Sequence, residues 1–297
     1  MIGVPDVARG EDRLRQLEVA VSRRLDGLLQ GDYQGLVPAA GSEPGEGRPY
    51  SPGDDVRRMD WNLTARSGAP HIRTTVADRE LETWVVADGS ASMDFGTADH
   101  EKRDLGLAAV AAFAFLTVRN GNRIGAVLLD GSGARVVPPR SGRAAALALL
   151  HTVADRSRAA PAPVELAGGL RRARLAARRR GLVVVVSDLL DDSPWERELR
   201  ALSSRHDTVV VDVRDPRESA LPAVGLLSLV DPETGRLVEV QTSSPRLRAR
   251  FATAAAAQLE ERRRAVRSAG AAHLVLGTDR DWLREVVAFV AARRRRR

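Results

Sequence analysis

Cysteine is absent from the 297 residues. That excludes disulfides, thiolate metal centres and cysteine nucleophiles, and it suits a reducing compartment. Aromatic residues are scarce at 4%, so the core must be aliphatic, built from Val, Leu and Ala. Lysine is nearly missing as well. Lys102 is the only one, and the net charge of +7 rests on arginine, a bias of the kind that GC-rich coding produces. No stretch approaches 18 uncharged apolar residues. Leu182 to Val186 is too short to span a bilayer, and Leu105 to Val118 has the Ala-rich composition and length of a buried helix. Met1 to Asp6 lacks the basic start and apolar run of a signal peptide. The expectation is a soluble, cytoplasmic protein with no membrane partner.

What is present is ordinary globular material, 43% hydrophobic and 29% charged, long enough for one large or two modest domains. Leu14, Leu17, Val19, Val21, Leu25, Leu28 and Leu29 mark an amphipathic helix over residues 11–30. Residues 41–47 form a Gly- and Pro-rich loop, and residues 48–80 are polar, irregular and rich in carboxylates. From residue 81 the pattern becomes regular. Strands are expected at 83–88, 123–130, 134–138, 181–188, 207–213 and 272–277, with a polar hairpin at 225–241. Helices are expected at 102–119, 142–156, 166–180, 194–205, 245–268 and 281–293. Strands alternating with helices imply βαβ crossovers and a largely parallel, doubly wound sheet. The unbroken Val183 to Val186 run fits a central strand covered on both faces. The expected division is an N-terminal helix and irregular segment (1–80), an α/β domain (81–292) and a disordered arginine tail (293–297).

In parallel sheets the functional crevice lies at the carboxyl ends of the strands. Three strands end there in acids: Asp88, Asp130 and Asp188. Asp130 leads into Gly131-Ser132-Gly133 and reads as a turn residue. Asp88 opens Asp88-Gly89-Ser90-Ala91-Ser92, one carboxylate and two hydroxyls in a single short loop. Oxygen ligands of this kind suit a hard cation such as Mg²⁺ or Mn²⁺. The other reading is structural: Asp88 accepts from loop amides, and Ser90 and Ser92 cap the next helix.

The loop resembles the metal-ion-dependent adhesion site of von Willebrand A domains. The residues around it are similar to the signature of the DUF58 family. The matching words are Gly47-Arg48-Pro49-Tyr50-Ser51-Pro52-Gly53-Asp54-Asp55-Val56-Arg57-Arg58-Met59-Asp60-Trp61, then Thr64-Ala65-Arg66, then Asp88 to Gly96. The resemblance implies a von Willebrand A-like sheet preceded by a small, partly β segment. It also implies an adaptor without established catalysis, working beside a MoxR-type AAA+ ATPase and its client proteins. By the same resemblance, Asp188 is the third-loop ligand. The second-loop threonine aligns with Val164, which cannot ligate a metal. Either Glu165 stands in, or the site is weakened or empty.

Tyr50, Asp54, Asp55, Arg57, Asp60, Trp61 and Arg66 cluster in the signature segment. They offer either a metal-independent partner surface or a salt-bridged network that orders it, with Tyr50 and Trp61 as anchors of a small core. The arginine runs at 171–180, 262–267 and 293–297 have no interleaved aromatics, and the first two close helices where the dipole favours them, which argues against nucleic acid. Gly89 to Met93 lacks the second glycine of a hydrolase elbow. His71, His100, His151, His206 and His273 show no metal-ligand spacing, and no Gly-rich phosphate loop with a lysine exists. An unrecognised hydrolase is the remaining enzymatic alternative.

Overall fold

The computed structural model describes residues 14–21, 23, 48–51, 56, 59–72, 81–119, 121–155 and 164–295. Leu25, Leu28, Leu29, the 41–47 loop, Asp54, Asp55 and Arg57 lie outside them.

An apolar strand without alternation is satisfied only in a sheet covered on both faces, and the chain builds one. Helix α1 (residues 14–21) comes first. The signature segment then forms β1 (Arg48–Pro49), α2 (Trp61–Ser67) and β2 (His71–Ile72), with β1 and β2 antiparallel. The regular part comes next: β3 (Glu82–Ala87), α3 (Lys102–Arg119), β4 (Arg123–Asp130), β5 (Gly133–Ser141), α4 (Arg143–Ala154), α5 (Leu166–Ala176), β6 (Leu182–Ser187), α6 (Trp195–Ser203) and β7 (Asp207–Arg214). The hairpin β8 (Leu226–Val230) and β9 (Leu237–Gln241), α7 (Pro245–Ser268), β10 (Ala272–Gly277) and α8 (Trp282–Arg294) complete it. The central sheet runs β10-β7-β6-β3-β4-β5. All neighbours are parallel except β5, which returns antiparallel along β4 as the edge. The mixed α/β architecture, its mostly parallel sheet and the N-terminal helix agree with the sequence reading.

Alternation along the strands sends side chains to two cores. Val85, Val184 and Val211 pack with α3, α4, α8 and with Leu14, Leu17 and Val21 of α1. Val86, Val185 and Val210 pack with α5, α6 and Val266 near the end of α7. Each fully buried aliphatic side chain contributes roughly 1.5–3 kcal/mol. Helix α3 is apolar around most of its circumference, as a helix enclosed by the core must be; Leu105 and Ala108 to Ala112 are all buried. Helix α7 is the opposite case, with Val266 its one buried residue among those described.

Four details depart from expectation. Val19 faces solvent rather than the core, because Leu14, Leu17 and Val21 already define the packed stripe of α1. Helix α5 stops at Ala176, short of Arg180, because Ala177 leaves helical geometry to bury its side chain. Strand β5 continues through Pro138 and Pro139 to Ser141, which an edge strand tolerates. Helix α8 enters the arginine tail, and Arg293 donates to Asp207. No helix among the described residues is long and apolar enough to cross a membrane.

Candidate functional site

Parallel pairing sets the ends of β3 and β6 side by side. Ala87 pairs with Val186, and the Asp88 amide donates to the Val186 carbonyl at 2.9 Å. Asp88 and Asp188 therefore emerge together at the carboxyl rim, both buried. Asp88 accepts from the Ser90 amide at 2.8 Å through Oδ1 and from the Ser187 hydroxyl at 2.6 Å through Oδ2. The Ser90 and Ser92 hydroxyls lie 2.9 Å apart on either side of Ala91, where the chain turns into a short 3-10 segment, Ala91–Asp94. All four residues expected in the metal site are thus gathered at one rim.

The loop then doubles back sharply. The Lys102 amide donates to the Phe95 carbonyl at 2.9 Å, and a Cβ on Gly96 would fall 2.5 Å from the Glu101 Cα, so only glycine fits that return. Thr97 is pinned to Asp215 at the end of β7, amide to Oδ2 at 2.7 Å, and Thr278 holds the same carboxylate from β10. The result places Lys102, the first residue of α3, beneath the rim. Its ammonium donates to Asp188 Oδ2 at 2.7 Å and to Glu218, and its side chain is 1% exposed. Glu218 is itself set by a capping box with Asp215.

The two rim carboxylates respond oppositely. Burial, then the negative charge of Asp188, push Asp88 up to about 6, against the hydrogen bonds from Ser187 and Ser90. Burial also pushes Asp188 upward, but the charge and hydrogen bond of Lys102, with help from Ser92 and the Leu190 amide, hold it below the usual carboxylate range. Burial pulls the Lys102 ammonium down, and the two carboxylates outweigh it, leaving it raised. Leu189 comes directly after Asp188 with φ at 55°, the one non-glycine residue described in the left-handed region. A backbone outlier of this kind is a mark of functional loops.

The donor set around Asp88 fits a hard cation in chemical type: a buried carboxylate, two adjoining hydroxyls and a second carboxylate on the next strand. The second loop contributes nothing to it. Val164 packs into the α5–α6 core, and Glu165 is exposed, its carboxylate lying back over Gly168 of its own helix. The first amides of α5 are taken instead by Asp191 and Ser193. Asp130 serves its turn, accepting from the Ser132 amide at 2.8 Å.

Within the signature segment, β1, α2 and β2 form a small unit. Asp60 caps α2, accepting from the Asn62 and Leu63 amides at 3.1 Å. The Tyr50 amide donates to the Pro70 carbonyl, joining Tyr50 to the same small unit. Arg66 is exposed in the last turn of α2. Trp61 is 69% exposed, so it anchors no core, and α2 buries none of its residues. Four participants escaped the sequence reading: Lys102, Ser187, Glu218 and Glu233. Glu233, at the β8–β9 turn, accepts from the Ser92 amide at 3.1 Å. Only Glu218 left a local trace, the Asp215-x-x-Glu218 capping pattern.

Comparison with known proteins places the chain. The uncharacterized protein Rv1480 of Mycobacterium tuberculosis H37Rv is 51% identical over 284 residues, covering 95% of this chain and 89% of the relative. The uncharacterized protein MAV169 of Mycobacterium avium is 44% identical over 163 residues, 54% of this chain and 94% of that protein. Similar solved structures include BatB from Bacteroides thetaiotaomicron, 12% identical with a TM-score of 0.47, covering 72% of this chain and 98% of that one. A von Willebrand factor type A protein from Catenulispora acidiphila is 14% identical with a TM-score of 0.40, covering 75% and 43%. The model of the family described as "Protein of unknown function DUF58" matches residues 46–261, and the chain belongs to that family.

Proposed function

We propose that this chain is a non-catalytic protein-interaction module whose recognition edge is the carboxyl rim of the sheet. Asp88, Ser90, Ser92 and Asp188 would hold Mg²⁺ or Mn²⁺ there. The ion would supply a Lewis-acidic point for a carboxylate from a MoxR-type AAA+ ATPase or its client. The observation that carries this reading is the convergence of those four residues, with Asp88 kept buried beside the like charge of Asp188. A fold gains nothing in stability from such a pair, and carboxylates disturbed in this way concentrate at functional sites.

Isothermal titration with Mn²⁺ and Mg²⁺ tests the ion. Wild type is expected to bind at or below millimolar concentration, and Asp88→Ala to lose binding. No heat in wild type, or unchanged binding in the variant, removes the metal. Co-precipitation with the MoxR-type ATPase of the same genome, with and without EDTA, tests the partner. The exposure of Trp61 favours a second, metal-independent contact through residues 48–66. In the same co-precipitation, capture that survives EDTA and Asp88→Ala but is lost in Trp61→Ala would transfer the interface to that segment.

A further inference from the structure

The β8–β9 hairpin belongs to neither core and pairs with no other described strand. A sheet of two strands is marginally stable in water unless a face is covered. Leu226, Val230 and Leu237 are 62%, 61% and 59% exposed, and pairing sets them on one face. Val230 lies opposite Leu237, and Leu226 shares the face of Val230 by the strand period. Ser228 and Glu239, opposite each other, stand between them. Large aliphatic side chains gathered on an open face mark an interaction surface.

Two hydrogen bonds fix which backbone groups stay open. The Asp231 amide donates to the Arg236 carbonyl at 2.9 Å, and the Thr242 amide to the Gly225 carbonyl at 2.6 Å. Antiparallel ladders alternate bonded and non-bonded pairs. Gly225, Leu227, Leu229 and Asp231 therefore direct their amides and carbonyls at β9. Leu226, Ser228 and Val230 direct theirs to the outer edge of β8. Open edges are ordinarily guarded by charge or proline. The edge strand β5 carries Arg135, Pro138, Pro139 and Arg140, and β9 carries Glu239. By contrast β8 reads Leu-Leu-Ser-Leu-Val, with no charge, proline or glycine to turn another strand away.

We propose that β8 is a self-association edge: two copies of this chain pair β8 against β8, antiparallel about Ser228, and join their hairpins into one continuous sheet. Ser228 then meets Ser228 of the second copy on the two-fold axis, and Leu226 of each copy meets Val230 of the other. Each pair uses the backbone groups left open, and aliphatic side chains lie against aliphatic side chains, as a self-complementary two-fold interface requires. The same pairing through β9 would set Glu239 against Glu239 at its centre, like charges directly opposite. The hairpin tip is tied to the rim, where Glu233 accepts from the Ser92 amide at 3.1 Å, so self-association carries two rims in one particle. The inference is independent of the cation reading.

The test is sedimentation of the full chain as wild type and Ser228→Pro, with oxidative cross-linking of Ser228→Cys and Glu239→Cys. The chain has no cysteine of its own, so any disulfide reports the introduced site. Ser228 is exposed and its amide points away from β9, so proline suits the edge while removing a donor from it. Wild type is expected as a dimer whose dissociation constant rises about tenfold or more in Ser228→Pro. A bonded antiparallel pair brings Cα atoms to about 5.5 Å, within disulfide reach, so Ser228→Cys should cross-link and Glu239→Cys should not. A monomeric wild type, a dimer unmoved by Ser228→Pro, or a disulfide in Glu239→Cys and none in Ser228→Cys overturns the proposal. Should proline disturb the hairpin, seen as faster hydrogen exchange over residues 226–241, the cross-link decides alone.

Discussion

Asp88 and Asp188 are the same residue at the ends of adjacent parallel strands, 8% and 2% exposed, and the fold treats them differently. Asp188 is bound to Lys102, and the pair, with Glu218, fastens α3 to the ends of β6 and β7. Its charge is a strut. Asp88 is held by the Ser90 amide and the Ser187 hydroxyl and pushed up to about 6 by burial and by its neighbour. Its charge works against the fold. The difference lies within one rim: one carboxylate is held in its charged form by a buried ammonium, and the other is pushed toward its neutral form by burial and by its neighbour.

Breaking the strut should give the largest effect. Lys102→Met removes the ammonium and strands Asp188 and Glu218 in the interior. Loss of one partner of a buried ion pair costs about 3–5 kcal/mol, read as a lowered urea midpoint at pH 7 in EDTA. Stability within about 1 kcal/mol of wild type would show that Lys102 is a bystander and that the contrast between the two acids is overstated. The pH dependence has a defined sign. Asp188 is depressed, so its contribution is present above the ordinary carboxylate pKa and disappears as pH falls through its folded value.

Asp88→Asn should move stability the other way. A rise from 3.8 to about 6 corresponds to about 3 kcal/mol between the charged and neutral forms. Between those values the folded state holds a proton that the unfolded state gives up. Stability therefore falls as pH climbs through that window and stays lower above it. Asparagine can accept from the Ser90 amide through its carbonyl oxygen, and its NH2 can donate to the Ser187 hydroxyl in place of the bond Ser187 now donates, without the charge. In EDTA the variant should be more stable than wild type by about 1–3 kcal/mol at pH 7, with the gain gone below about pH 4. Added Mn²⁺ should reverse the ranking, since an ion that binds only the native wild type raises its stability alone. A variant less stable than wild type at pH 7 in EDTA would place Asp88 with Asp188 among the struts.

The frame of this comparison was legible in the sequence, and its contrast was not. Strand ends at Asp88 and Asp188 come from apolar runs stopped by acids, and the parallel sheet from their alternation with helices. These are local signals. Lys102, Glu218 and Glu233 reach the rim across 86, 116 and 141 residues, and no periodicity carries such pairings. The lone lysine among so many arginines was visible, but composition accounts for it equally well. Trp61 misled because aromatics are usually buried, whereas here α2 is set by the Asp60 cap and by the β1–β2 pairing rather than by packing. Val164 was read as a residue that cannot ligate a metal. Its place in the core explains why: the residue faces the α5–α6 layer, and an oxygen there would be buried among aliphatic side chains.

The smallest effect belongs to Ser187, which links the two loops. Its hydroxyl donates to Asp88 Oδ2 at 2.6 Å and accepts from the Leu189 amide at 3.0 Å, the residue held in left-handed geometry just after Asp188. Ser187→Ala should cost about 1 kcal/mol at pH 7. The loss is capped because Asp88, deprived of a donor that favours its charged form, titrates higher still and gives up that charge. The cost should therefore shrink at pH 5, where Asp88 is already largely protonated. In an Asp88→Asn background the pH dependence of the Ser187→Ala cost should vanish. Denaturation of the four proteins at both pH values separates the two roles of the hydroxyl. An equal cost at pH 5 and pH 7 would mean that Ser187 supports only the Leu189 backbone, and that the charge on Asp88 is tuned by burial and Asp188 alone.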